Sequence, residues 1–69
     1  MKIDHGNLRA LAAVVREGSF ERAALALSVT PSAVSQRIKA LEDRMGRLLV
    51  QRTVPAAATG DGQVLVQLA

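Results

Sequence analysis

Between Thr30 and Glu42 the chain sets hydroxyls, an amide and cations at helical spacing: Ser32, Ser35 and Gln36, then Lys39, with Arg37 beside them. Serine hydroxyls and a glutamine amide donate and accept at base edges, while arginine and lysine neutralise phosphates. One helix would carry them all. Val34, Ile38, Leu41 and Met45 recur at i, i+4, i+7 and i+11, a single apolar stripe, and Ser32, Ser35, Gln36 and Lys39 fall away from it. Thr30 suits the N-cap, because its hydroxyl can accept from an orphan backbone N–H. Pro31 suits the first helical position, where no N–H is needed. An ordinary amphipathic helix with a solvated polar face has the same pattern, so this segment alone leaves both readings open.

The residues just upstream weigh toward DNA. Ser19 to Leu27 reads as a short helix with Ser19 as N-cap and Glu21 in the first turn. Phe20, Ala23, Ala24 and Leu27 form its narrow apolar face, and Ala23, Ala24 and Ala26 let a neighbour approach closely. Only Ser28-Val29-Thr30 separates the two helices, which makes a helix-turn-helix. The pattern Gly-Ser-Phe-(x)2-Ala-Ala-(x)2-Leu-(x)2-Thr-Pro-Ser-Ala-Val-Ser-(x)2-Ile-(x)2-Leu-Glu-(x)3-Gly, from Gly18 to Gly46, resembles the DNA-binding domain of LysR-type bacterial transcriptional regulators. Residues 35–42 and Arg52-Thr53-Val54-Pro55 look most like the arginine- and lysine-responsive subgroup, which includes an inhibitor of chromosome replication initiation.

The positioning elements follow from the rest of the chain. A first helix is expected from about Gly6 to Glu17, with Leu8, Leu11, Ala12 and Val15 on one face, Val14 widening it, and Gly18 at its end. The second spans about Phe20 to Leu27, and the third Pro31 to Arg44 or Met45, stopped by Gly46. Leu48-Leu49-Val50 is a short β-capable run and Ala56 to Thr59 a second. The resemblance implies that they form a two-stranded wing; the run is too short for periodicity to establish it. Thr59 and Asp61 then open a fourth helix with Val64, Leu65 and Leu68 as its apolar stripe, unfinished at Ala69. The expected fold is mainly α: a winged helix-turn-helix over residues 1–58, and the start of a linker helix over 59–69. The resemblance implies that this helix pairs with a second copy through Val64, Leu65 and Leu68, making a homodimer. An effector-binding domain would then lie outside this sequence.

Sixty-nine residues make one small domain, and a core of this size is marginal. Phe20 is the only aromatic, and it is expected to be the largest plug of an aliphatic core. Residues 1–30 carry Lys2, Arg9, Arg16 and Arg22 against Asp4, Glu17 and Glu21. Residues 31–52 carry Arg37, Lys39, Arg44, Arg47 and Arg52 against Glu42 and Asp43, a balance of +3 that equals the net charge of the whole chain. Positive charge thus gathers on the proposed recognition helix and just after it, as phosphate contacts require. There is no cysteine, which fits a cytoplasmic protein. The Ala10–Val15 run is too short for a secretory signal or a membrane span. His5 has no cysteine partners for a metal, Gly60-Asp61-Gly62 lacks the lysine of a phosphate loop, and no nucleophile is fixed near Asp4 or His5. Neither an enzyme nor a cofactor is expected.

The expected partner is double-stranded DNA, contacted by Thr30, Pro31, Ser32, Ser35, Gln36, Arg37, Lys39 and Arg52. Arg52 has an alternative role as an intramolecular partner of Glu42 or Asp43. The subgroup resemblance implies regulation of arginine or lysine transport or metabolism genes, with one of those amino acids as effector. The competing class is a helix-turn-helix that docks an acidic protein, or an architectural DNA-binding module of another winged-helix family. The chain also departs from the family's usual pattern. Val50 stands where a phenylalanine is common, Pro31 where a glutamine often begins the recognition helix, and Ala56-Ala57-Ala58 add no second basic residue to the wing. Gly60 should weaken the first turn of the fourth helix by up to about 1 kcal/mol.

Overall fold

The computed structural model describes residues 4–68. The elements are α1 (His5–Glu17), α2 (Phe20–Leu27), α3 (Pro31–Met45), β1 (Val50–Gln51), β2 (Ala57–Ala58) and α4 (Gly60–Val66). α1, α2 and α3 pack on one another, β1 and β2 form an antiparallel hairpin, and α4 returns onto α1.

Local chemistry sets the helix ends. Asp4, which sequence reasoning overlooked as a cap, accepts from the N–H of Gly6 at 2.7 Å, so α1 begins one residue earlier than expected. Ser19 accepts from Arg22 at 3.0 Å, and Thr30 accepts from Ala33 at 3.1 Å with Pro31 at the helix start. The left-handed cap of α2 is Ser28, at φ 59, and Gly46 ends α3 at φ 68. Gly18, at φ 80, caps α1; its carbonyl also accepts from Ala56 at 2.8 Å, so the turn between α1 and α2 holds the far side of the wing.

The core is aliphatic. Leu11 and Val14 of α1, Val34, Ile38 and Leu41 of α3, and Leu49 are its largest fully buried side chains. Ala23 and Ala24 are buried too, so α2 lies close against its neighbours, as its small face predicts. Phe20 is a correction: it is half-buried and packs against the core from the rim. The aliphatic residues of α1 and α3 already fill the centre.

The wing forms as the resemblance implies, with a shifted first strand. Val50 pairs with Ala58 and Gln51 with Ala57, while Leu48 stays outside the ladder and exposed. Thr59 joins wing to helix: its N–H donates to the Leu49 carbonyl at 3.0 Å, its hydroxyl donates to the Leu48 carbonyl at 2.7 Å, and its Oγ1 accepts from the Gly62 N–H at 3.1 Å. α4 then passes so close to the residue before β1 that a Cβ at Gly62 would collide with the Leu49 carbonyl. Gly60 has open space around it. The helix closes at Val66, a length of about two turns. Gln67 keeps right-handed dihedrals, and Ala69, through which the helix was expected to run, lies outside the described residues.

Candidate nucleic-acid interface

Thr30, the N-cap of α3, and Pro31, Ser32, Ser35, Gln36 and Lys39 on it are all exposed. At roughly 100° per residue, Ser32, Ser35, Gln36, Lys39 and Asp43 share an arc about 100° wide, opposite the buried stripe. The expected polar face therefore exists, with an addition and an exception. Asp43 is the addition: its Oδ2 lies 3.4 Å from Lys39 Nζ, both side chains being exposed. An exposed pair of this kind is worth little, about 0–1 kcal/mol, so Asp43 holds Lys39 only weakly. Arg37 is the exception. It is half-buried and sits on the flank of the stripe, roughly 160° around the helix from Ser35.

Beside this arc an open groove of about 560 Å³ separates the C-terminal half of α3 from the wing; Ser35, Lys39, Gly46, Arg47 and Arg52 line it. Glu42 forms its floor. That side chain is only 10% exposed, and its Oε2 accepts from the backbone N–H groups of Leu49 at 2.9 Å and Val50 at 3.3 Å. Its Oε1 lies 3.7 Å from Nη2 of Arg52. The Arg52 guanidinium carbon is in turn 4.7 Å from the centre of the Phe20 ring, within cation–π range. Arg52 thus has the intramolecular partner that was its alternative role, Glu42 and not Asp43, while its side chain stays half exposed on the groove.

Sequence reasoning offered Glu42 as a partner for Arg52 but missed its bonds to the backbone of Leu49 and Val50. A signal was present: Glu42 follows Leu41 and lies four residues after Ile38, at the edge of the buried stripe. An acid there needs partners, because burying an unpaired charge is costly.

The expected dimer stripe does not stay together. Leu65 is 5% exposed and belongs to the core of its own chain, because α4 turns that side toward α1. Leu65 thus faces inward, apart from the rest of the stripe. Val64 and Leu68, at 64% and 61% exposed, remain on the outer face one turn apart.

Residues 5–63 match the model of the bacterial regulatory helix-turn-helix proteins of the lysR family. The lysine export transcriptional regulatory protein LysG of Corynebacterium efficiens is 64% identical over 63 residues, which are 91% of this chain and 22% of that protein. The chain thus spans about a fifth of the length of the curated relatives it matches. Full-length LysG from Corynebacterium glutamicum with bound effector Arg superposes with a TM-score of 0.92 at 57% identity, over 96% of this chain and 23% of that one. The BenM DNA-binding domain, in complex with benA site 1 DNA, superposes with a TM-score of 0.89 at 33% identity, over 96% of this chain and 75% of that one. Its helix order, its wing and these matches agree: the chain belongs to the lysR family of bacterial regulatory helix-turn-helix proteins.

Proposed function

We propose that this chain is the DNA-binding unit of a longer bacterial transcriptional regulator, with residues 1–58 as the winged helix-turn-helix and residues 59–69 opening a linker helix. The observation that carries the reading is the exposed arc of Ser32, Ser35, Gln36 and Lys39 on a helix whose start is capped by Thr30 and Pro31. In a helix-turn-helix the N-terminal part of the second helix meets base edges. Ser32, Ser35 and Gln36 read bases; Lys39, freed from Asp43, reaches a phosphate. Thr30 and Pro31 approach the backbone at the helix start, Arg37 reaches a phosphate from the flank, and Arg52 acts from the wing.

The likeness to LysG supports genes of lysine or arginine transport or metabolism as targets, with one of these amino acids as effector on a further domain. Pairing of two chains through α4 and its continuation supplies the two recognition helices that such a regulator sets on two half-sites. Among the described residues no helix is long and apolar enough to cross a membrane, and the reading assigns the chain to the cytoplasm. It assigns no enzymatic step.

The test is fluorescence anisotropy of the chain with a duplex selected from a random-sequence pool, competed by a scrambled duplex and by an acidic polypeptide. Preference for the selected duplex is expected. Equal competition by the scrambled duplex would point to an architectural role, and stronger competition by the polypeptide to protein docking.

A further inference from the structure

Arg52 is the only basic side chain between Val50 and Thr59, and the fold does not leave it loose. Phe20, at the start of α2, lies against the guanidinium at 4.7 Å, and Glu42 of α3 faces its Nη2 at 3.7 Å. The same Glu42 carboxylate accepts from two backbone N–H groups at the entry of β1. One part-buried acid therefore ties strand, arginine and recognition helix together. The wing is also held by a two-rung ladder, by the bond from Ala56 to Gly18 and by the bonds of Thr59 to the Leu48 and Leu49 carbonyls, none of which touches the Arg52 side chain.

Building on the DNA-binding reading above, we propose that Glu42 and Phe20 are positioning residues for the wing: they fix Arg52 beside α3, so that the wing's contact with DNA depends on this latch and not on positive charge alone. A guanidinium suits the role because its planar fork can pair along one edge and stack on one face, with the remaining N–H groups still directed outward. Holding those donors in advance reduces what binding must order.

The two mechanisms predict opposite signs for one substitution. Glu42→Gln removes an anion beside the DNA surface, so charge alone predicts tighter binding to every duplex. The latch predicts weaker binding, by about three- to tenfold. Arg52→Lys keeps the cation but loses the fork and the stacking, and is expected to bind as weakly as Arg52→Ala. The double variant Glu42→Gln/Arg52→Ala should bind no worse than Arg52→Ala alone, since the two act through one contact. Affinities are measured by anisotropy at fixed low salt, with helical content followed by circular dichroism. Phe20→Leu leaves the backbone bonds of Glu42 in place and serves if Glu42→Gln loses helix; a comparable fall is expected. Tighter binding by a folded Glu42→Gln, or wild-type affinity in Arg52→Lys or Phe20→Leu, would overturn the latch. A parent chain that binds no duplex would instead overturn the DNA-binding reading on which it rests.

Discussion

Two glycines and two polar side chains behave differently than their types alone suggest. Gly62 lies where any Cβ would strike the Leu49 carbonyl, whereas Gly60 has room. Gly62→Ala should therefore push α4 away from Leu49 and lower the melting temperature by several degrees, at roughly 4–8 °C per kcal/mol for a domain of this size. Gly60→Ala should be neutral or stabilising by up to about 1 kcal/mol. Thermal denaturation of both variants checks the contrast; equal effects would mean that the close approach is not real. Gln36 is exposed, and in the proposed DNA contact a bidentate bond to adenine would be worth about 1–3 kcal/mol of discrimination. Gln36→Ala should relax sequence preference, while Lys39→Ala should weaken selected and random duplexes nearly equally. Uniform loss by both variants would remove the division between base and phosphate contacts.

At the scale of elements, α4 faces two ways. Leu65 fills the core and Val64 and Leu68 face out. Leu65→Ala should cost about 2–5 kcal/mol of stability, as buried leucines do. Val64→Asp and Leu68→Asp should leave the melting temperature nearly unchanged, because surface substitutions away from special contacts stay within about 0.5 kcal/mol. Chemical denaturation separates the two classes: a Leu65 variant as stable as the parent would place that side chain outside the core. The same reasoning applies to Phe20, which packs at the rim with Arg52 over its ring. Its truncation should cost less than the roughly 3–5 kcal/mol of a central phenylalanine.

At the scale of the molecule, Val64 of α4 and Leu68 just beyond its end are, among the described residues after β2, the exposed large apolar side chains. Isolated short helices are marginal, and so small an apolar face should not hold two copies together in dilute solution. The 69-residue chain should sediment as a monomer and bind a half-site weakly. A chain extended through a complete linker helix should dimerise and bind paired half-sites about 34–36 Å apart, or a multiple, far better. Val64→Asp with Leu68→Asp in the longer chain should restore the monomer. A dimer that persisted in sedimentation would show that the outer face of α4 is not the interface.

The helix boundaries, the apolar stripe of α3 and the exposed face opposite it were legible in the sequence, because each depends on neighbours within a few residues. A threonine cap three residues from its donor, a proline at the helix start and apolar residues at i and i+4 need no knowledge of the rest of the chain. The helix-turn-helix followed from the same local rules, since so short a turn leaves two helices few ways to pack. Tertiary structure decided the remainder. Leu65 reads like Val64 and Leu68 until α1 is placed beneath it. Glu42 reads as a surface acid until the chain returns seven residues later and presents two N–H groups to it. Arg52 could have paired with either acid of α3, and only the path of β1 selected Glu42 over Asp43. Each of these depends on where distant segments meet, and that is set by how the aliphatic side chains of α1 and α3 fill one core.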